Sequence, residues 1–332
     1  MFHYIYHMVK WGIIGPGKIA HKFVADLQLL EGTEVCAVAS RSSERAAEFA
    51  KQYGIIQSYG SYTELMADPY VDIIYIATPH DSHAALSIEA MHAGKHILCE
   101  KPLGVNAHQV QEMINASQQN QVFLMEAFWS RFNPTMREIL SKIKANEIGE
   151  VNYLSADFTF FRNDPDDSRM LNMDLAGGSL LDMGVYPVFL AYVVMGMPEE
   201  IRAAGRFHST GADLQTAAIL EYKSGIAQLM SGFISQSDMA AKICGTEGTI
   251  IIDPVWHESE GYQIFRPYEQ NEAVHFSLPK KGKGYTYEIE ECIRCIQAGQ
   301  IESTLWSHQN SLDLIRIVDE IRAQINLRYP FE

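Results

Sequence analysis

The stretch GIIGPGKIA, residues 12–20, decides the fold. It places the pattern GxGxxA on Gly15, Gly17 and Ala20, between an apolar run and an amphipathic one. In a strand–turn–helix unit the first glycine permits the tight turn, the second admits a pyrophosphate, and the alanine keeps the helix close to the sheet. The plainer alternative is a turn that needs glycine only for packing. We expect a dinucleotide phosphate site made by Gly15, Pro16, Gly17, Lys18 and Ile19, on the N–H groups that open the helix.

The chain from residue 9 to about 126 alternates continuous apolar runs with amphipathic helical stretches. Continuous runs, rather than alternating ones, are typical of parallel strands covered on both faces. Right-handed crossovers then give a doubly wound α/β sheet, a Rossmann domain that we place at residues 8–127. The predicted strands are VKWGIIG, EVCAVAS, VDIIYIAT, HILCEK and VFLMEAF.

The pattern changes after about residue 130, where strands follow one another at short intervals. Hairpin signals occur at Lys223-Ser224-Gly225 and Thr246-Glu247-Gly248. An apolar helix, GSLLDMGVYPVFLAYVVMG, precedes these strands. The pattern predicts a C-terminal α+β domain, residues 128–332, with a largely antiparallel open sheet. One face of such a sheet is exposed unless covered, so we expect a homodimer through it.

Composition narrows the range of partners. The 332 residues carry a net charge of −15, which argues against a nucleic-acid or anionic-membrane surface. No apolar run approaches a membrane span, and the N-terminus does not match a signal peptide. Residues 1–7 read as an extra arm, with Met8 a candidate start. We expect a cytoplasmic protein.

The cysteines and histidines do not form a recognisable metal or redox site. The five cysteines are odd in number and scattered, which suits a reducing cytoplasm. Cys292 and Cys295 match CxxC by letter, but their helical context favours buried packing. The twelve histidines show no metal-ligand spacing, and we expect no metal.

The end of the second predicted strand, Ser40-Arg41-Ser42-Ser43-Glu44-Arg45, indicates which dinucleotide binds. An NAD-specific site usually places Asp or Glu there to accept the ribose 2′-OH. Here a hydroxyl and guanidinium groups occupy that position, and arginine pairs with a 2′-phosphate. We therefore expect NADP(H), held by Ser40, Arg41 and Arg45. A serine that caps the next helix beside solvated arginines is the alternative.

Two further strands end in polar loops, where a doubly wound sheet binds its ligand. The loop ATPHDSH follows one and EKP the other. A lysine over a ligand pocket rarely serves solubility, so Lys101 is the stronger candidate for a functional residue in these two loops. The cofactor contacts expected from these loops are Thr78, Pro79, His80, His83, Glu100 and Lys101.

Four motifs in this order, GIIGPGKIA, ATPHDSH, CEKP and GGSLLDMGVY, resemble the glucose–fructose oxidoreductase/inositol dehydrogenase (Gfo/Idh/MocA) family. The branch of dihydrodiol dehydrogenases and NADP-dependent D-xylose dehydrogenases is the most similar. The resemblance covers nearly the whole chain and implies a Rossmann domain followed by an open-sheet domain. It also implies that Lys101 touches the nicotinamide ribose and substrate, and that Ser40-Arg41 marks an NADP user.

The helix GGSLLDMGVY carries the remaining catalytic candidates, Asp182 and Tyr186, which project from one helix face at i and i+4. Many family members have histidine where Tyr186 stands, so the tyrosine resembles the dihydrodiol branch. A tyrosine phenol, with an ordinary pKa of about 10, is a poor base unless an ammonium such as that of Lys101 stabilises the phenolate. Asp182 would then orient the substrate hydroxyl or Lys101. A buried helix tyrosine with a satisfied hydroxyl is the alternative.

The sequence thus predicts an NADP(H)-dependent oxidoreductase acting on a CH–OH group of an aldose, polyol or dihydrodiol. A non-catalytic NADP-binding sensor of the same fold and an NAD-linked cyclitol dehydrogenase are the alternatives. Aromatic residues near the domain junction and arginines before the catalytic helix are candidates for substrate binding, although interface packing explains the aromatics equally well. These candidates are Trp129, Arg131, Phe132, Arg162, Arg169 and Trp256.

Overall fold

A computed structural model describes residues 8–163, 165–266 and 273–332. The strands are β1 Val9–Ile14, β2 Thr33–Ala39, β3 Gln57–Tyr59, β4 Ile73–Ile76, β5 His96–Glu100, β6 Leu124–Ala127, β7 Val151–Thr159, β8 Glu200–Phe207, β9 Asp213–Tyr222, β10 Gly225–Gly232, β11 Ala241–Gly245, β12 Thr249–Ile252, β13 Gly261–Phe265 and β14 Val274–Ser277. The α-helices are α1 Lys18–Leu27, α2 Ser43–Tyr53, α3 Tyr62–Met66, α4 His83–His92, α5 Ala107–Asn120, α6 Pro134–Lys144, α7 Val185–Met195, α8 Thr286–Gln297 and α9 His308–Ile325.

The chain divides into two compact units. The first contains the described residues up to Gly104, His108–Phe132 and Lys281–Ser311, and the second contains the rest. The sequence boundary between residues 127 and 128 therefore differs from this division, because Lys281–Ser311 groups with the N-terminal sheet. No change in composition marks that return, so the sequence pattern did not reveal it.

The first unit is built on a six-stranded sheet in the order β3-β2-β1-β4-β5-β6. All of its neighbouring strands are parallel. The five apolar runs became β1, β2, β4, β5 and β6, which confirms the predicted Rossmann sheet. The strand order reverses between β1 and β4, and such a switch point is where doubly wound sheets bind ligands.

The core of this sheet is apolar on both faces, as its strands require. Trp11 of β1 is fully buried, and the rings of Phe23 on α1 and Tyr75 on β4 stack at 3.7 Å between centroids. The returning segment packs onto α1, where the Asp26 carboxylate accepts hydrogen bonds from the N–H groups of Lys283 and Tyr285. Cys292 and Cys295 are buried thiols on α8, which confirms the packing interpretation of the CxxC spacing.

The second unit has an eight-stranded sheet in the order β14-β13-β12-β11-β7-β10-β9-β8. Only β7 and β10 pair in parallel among its described neighbours, so the predicted, largely antiparallel sheet is confirmed. The two predicted hairpins join β9 to β10 and β11 to β12. Short β14 was not predicted from the sequence.

The helix α7 packs against β7 and β10 in this unit. Within the described residues, the segment Met173–Met195 is long and apolar enough to cross a membrane, and 72% of its most apolar window is buried inside the protein. We expected no apolar stretch long enough to span a membrane, and by length and composition alone that expectation was wrong. The burial is that of a core helix, whose apolar faces are covered by the surrounding strands.

Candidate active site

The turn after β1 has two glycines with different steric requirements. Gly15 has φ of +89°, and a Cβ there would lie 2.8 Å from the carbonyl oxygen of Ala77. Gly17 opens α1, and a Cβ there would meet nothing within 4 Å. Of these two positions, the packing of the protein itself therefore requires glycine only at position 15. The open space beside Gly17 and the N–H groups that begin α1 fit the close approach of a pyrophosphate.

The end of β2 combines a helix cap with exposed arginines. The Ser42 hydroxyl accepts a hydrogen bond from the Arg45 N–H at 3.3 Å, and the buried Ser40 Oγ accepts one from the Ser42 N–H at 3.2 Å. The capping role weighed from the sequence is confirmed. Arg41 and Arg45 are both exposed, so a 2′-phosphate can reach their guanidinium groups without displacing a core contact.

The loop after β4 is tied to the loop after β5 by His83. This ring is fully buried, with Nδ1 2.9 Å from the Pro102 carbonyl oxygen and Nε2 3.0 Å from that of Thr78. His80 is also buried, and its ring meets His83 edge-on at 5.6 Å. In this conformation His83 connects the two loops, and its direct contact with the cofactor stays a prediction.

Lys101 follows β5 in a loop fixed by two buried carboxyl groups. The Tyr75 hydroxyl donates to Glu100, and the Leu103 N–H donates to Glu126 Oε1 at 2.9 Å. The peptide bond between Lys101 and Pro102 is cis. Burial raises the pKa of Glu126, and its hydrogen bonds and the Lys101 ammonium oppose that rise. Lys101 therefore stands at the carboxyl end of the sheet beside a buried acid.

Tyr186 lies at the start of α7 in the second unit, among aromatic rings. It is buried, with ring centroids 5.4 Å from Phe158 and 5.1 Å from His257. Phe158 and His257 themselves stack at 4.1 Å. The Tyr186 ring therefore packs against this stacked pair, which restricts its orientation.

Asp182 lies in a short π-helix, Leu180–Gly184, that runs directly into α7. The expectation of an α-helical i and i+4 face assumed the narrower turn, so it does not describe this segment. Asp182 Oδ1 is 3.2 Å from the Arg169 guanidinium, with the two side chains 21% and 42% exposed. The structure thus joins two predicted site residues that the sequence had treated separately. Such π-turns are frequent at functional sites.

The aromatic candidates for substrate binding are mostly buried. Trp129 stacks on Tyr285 at 5.1 Å, and Trp256 donates its indole N–H to the Asp157 carbonyl at 2.8 Å. Phe132 is fully buried as well, while Arg131 closes the short 3₁₀ turn that begins at Trp129. Their packing role is visible in these contacts, and their contact with substrate stays a prediction.

Two sequence expectations remain, the role of Arg162 and the absence of a metal site. The Arg162 guanidinium lies over the Phe160 ring at 5.6 Å. Among residues 8–163, 165–266 and 273–332, no group of three or more His, Cys, Asp or Glu side chains is arranged to hold a metal ion.

Comparison with known proteins places the chain in a family. A family model described as "Oxidoreductase family, NAD-binding Rossmann fold" matches residues 9–128, and the "GFO/IDH/MocA C-terminal domain" model matches residues 136–251. The chain belongs to the Gfo/Idh/MocA oxidoreductase family. It is 38% identical to a trans-1,2-dihydrobenzene-1,2-diol dehydrogenase of Xenopus tropicalis over 97% of this chain and 99% of the relative. The Mus musculus dehydrogenase of the same name is 36% identical, over 97% and 98%.

Solved structures agree with this Gfo/Idh/MocA membership. KijD10, a 3-ketoreductase from Actinomadura kijaniata crystallised with NADP and TDP-benzene, is 27% identical with a TM-score of 0.86, covering 96% of this chain and 98% of its own. An aldose-aldose oxidoreductase from Caulobacter crescentus, 23% identical with a TM-score of 0.86, covers 96% and 97% and shares the fold.

Two residues of this family member's site escaped sequence reasoning. Glu126 lies inside the apolar run VFLMEAF, and an acidic residue in such a run indicates a buried carboxyl with a specific partner. Phe158 sits in a strand rich in aromatics, and nothing in its spacing marked it as the ring beside Tyr186. Both act through contacts with residues distant in sequence, which periodicity does not reveal.

Proposed function

We propose that this Gfo/Idh/MocA oxidoreductase uses NADP(H) to transfer hydride between the nicotinamide and a CH–OH carbon of an aldose, polyol or dihydrodiol. The observation that carries the proposal is the presence of both Lys101, in a loop fixed by Glu126 and His83, and Tyr186, packed against the stacked rings of Phe158 and His257. A non-catalytic sensor would have no need to keep either. KijD10 was also crystallised as variants in which a tyrosine was replaced by phenylalanine and a lysine by alanine or glutamate.

The proposed chemistry assigns one task to each residue. The bound cofactor supplies the hydride acceptor and returns the hydride in the reverse direction. Tyr186, as the phenolate, takes the hydroxyl proton when the CH–OH carbon becomes a carbonyl. The Lys101 ammonium orients the substrate oxygen. Asp182, with Arg169 beside it, orients the remaining hydroxyl groups of the substrate.

The substrate class is tested by assaying sugars, polyols and dihydrodiols with NADP⁺ and following the absorbance of the reduced cofactor. Tyr186→Phe should lower kcat by about 10²- to 10⁴-fold, the usual contribution of a positioned acid/base. Tyr192→Phe is the matched control, because its hydroxyl lies on the same helix and bonds Asp313. NADP⁺ binding without turnover on any substrate would favour the sensor alternative.

The preference for NADP(H) rests on Ser40 and Arg41, where no acidic residue stands to accept a ribose hydroxyl. Arg41→Ala should weaken NADP⁺ binding about 10- to 150-fold, the value of a hydrogen bond to a charged group, and leave NAD⁺ binding unchanged. Arg137→Ala, an exposed arginine on α6, controls for lost surface charge. An unchanged ratio of NADP⁺ to NAD⁺ affinity in Arg41→Ala would contradict the 2′-phosphate argument.

We also infer association of two copies through the second unit's sheet, and a cytoplasmic location stays a prediction of the sequence. Ile219 and Ile226 are 40% and 43% exposed on neighbouring strands β9 and β10. Exposed apolar side chains on an open sheet favour burial against a partner. Sedimentation should give a dimer for the native chain and a monomer for Ile219→Lys.

A further inference from the structure

Asp213 is a buried acid that the proposed chemistry does not use. It stands at the start of β9 and is fully buried. Its Oδ2 atom accepts three hydrogen bonds, from the Ser179 hydroxyl at 2.7 Å, the Leu180 N–H at 2.8 Å and the Thr216 hydroxyl at 2.9 Å. One carboxylate oxygen therefore gathers donors from two separate parts of the chain.

Two of those donors begin the helical span that carries the catalytic candidates. Ser179 and Leu180 lead into the π-helix, which continues as α7, so Asp182 and Tyr186 follow within seven residues of Ser179. The first N–H groups of a helix lack partners within the helix and need an outside acceptor. A carboxylate meets that need and is also favoured by the positive end of the helix dipole.

The other carboxylate oxygen bears on where a proton could be placed. Asp213 Oδ1 has no hydrogen-bond partner among the described residues, and a Cβ on Gly178 would lie 2.1 Å from it. A proton on Oδ1 would therefore find no acceptor nearby. A proton on Oδ2 would occupy a site needed by the three donors.

The ionised form is nevertheless costly in such a buried position. Burial raises the pKa of Asp213 to about 6, although the hydrogen bonds from Ser179, Thr216 and Leu180 oppose the rise. Tyr329 also faces it, and its pKa is raised first by burial and second by the Asp213 charge. Arg322 lies over the Tyr329 ring and pairs with Asp319 and Glu332. The hydroxyls of Ser179, Thr216 and Ser231 around the carboxylate are uncharged.

We propose that Asp213 is a positioning residue for catalysis, whose ionised carboxylate anchors the first turn of the helix that presents Asp182 and Tyr186. Protonation of Asp213 loosens that turn and lowers turnover without touching the cofactor site. This inference rests on the proposed function, because it assigns the chemistry to Tyr186.

The pH dependence of kcat tests the proposal directly. The native enzyme should lose turnover as the pH falls through about 6, with the cofactor KM unchanged. Asp213→Asn should lower kcat about tenfold. It should also remove this fall in kcat at low pH, the acid limb of the profile, since no titrating carboxyl remains at the anchor. Thr216→Val removes one donor to the carboxylate and should move the acid limb to higher pH by roughly half to one unit. A purely structural role would not move the limb.

A matched control is Asp319→Asn. Asp319 is another largely buried acid of the second unit, and it accepts the N–H that begins α5. Its replacement should leave the acid limb where it is. If Asp213→Asn keeps the native limb, or Thr216→Val fails to move it, the anchoring role is refuted while turnover by Tyr186 stands.

Hydrogen exchange supplies a measurement that does not depend on turnover. The amides of residues 180–186 should lose protection, beyond the intrinsic change in rate, as the pH falls through about 6 in the native chain. In Asp213→Asn their protection should be low at every pH. Protection that is independent of both pH and this substitution refutes the anchor, even in a protein for which no substrate is found.

Discussion

Replacing Asp213 by asparagine should change how the stability of the protein depends on pH. Burial raises the pKa of this carboxyl from 3.8 to about 6 in the folded chain. Between these values the folded state holds a proton that the unfolded state has lost, so the free energy of unfolding falls as the pH rises. At about 1.36 kcal/mol per pH unit, the free energy of unfolding falls by about 3 kcal/mol between pH 3.8 and about 6. It stays lowered by that amount at higher pH.

The assay is urea unfolding of the native chain and Asp213→Asn at a series of pH values from about 4 to about 7. Groups other than Asp213 titrate alike in both proteins, so they cancel in the difference. The free energy of unfolding of the variant, relative to that of the native chain, should rise by about 2.4 kcal/mol from about pH 4 to about pH 7. This is less than the full value of about 3 kcal/mol because part of the titration lies outside this range. Asp174→Asn, at an exposed position, controls for losing a carboxylate at the surface. A constant difference, or one that shifts in favour of the native chain, would refute the reasoning.

Four further substitutions test the cofactor turn, the Asp182 ion pair and a second buried acid. Gly17→Ala should fold with native stability but lose cofactor affinity, whereas Gly15→Ala should lose both; equilibrium unfolding and cofactor titration distinguish the two. Arg169→Leu should change stability by less than about 1 kcal/mol, as for other exposed ion pairs, while the substrate KM rises because Asp182 loses its partner. Glu288→Gln should gain stability relative to the native chain as the pH rises above 4.5, since burial holds the pKa of Glu288 well above that value; equal pH profiles in urea would contradict this.

The sequence was most informative where structure is local. Continuous apolar runs gave the parallel strands, and the spacing of glycine-containing turns gave the antiparallel hairpins. Gly15 was identified because the turn that it forms lies within a few residues of the strand and helix that it joins. The short strand β3, Gln57–Tyr59, carries no apolar run of its own.

The parts that escaped prediction depend on contacts between distant residues. Asp213 is one acidic residue at the start of a strand, and its importance comes from Ser179 and Leu180, more than thirty residues earlier. Glu126 is similar, since its partners Leu103 and Trp306 are far away in the chain. A single sequence lists such residues without showing which of them meet.

The return of Lys281–Ser311 to the first unit limits how this protein can be divided or recombined. The first unit is assembled from three stretches of chain, and the last of them supplies partners to Asp26, Glu126 and Trp129. A fragment ending near residue 127 would leave the buried Asp26 carboxylate without its Lys283 and Tyr285 donors, and Glu126 without the Trp306 indole. Exchange of nucleotide-binding modules between relatives must therefore transplant a discontinuous unit, and the gene segment for α8 has to travel with the one for β1 to β6.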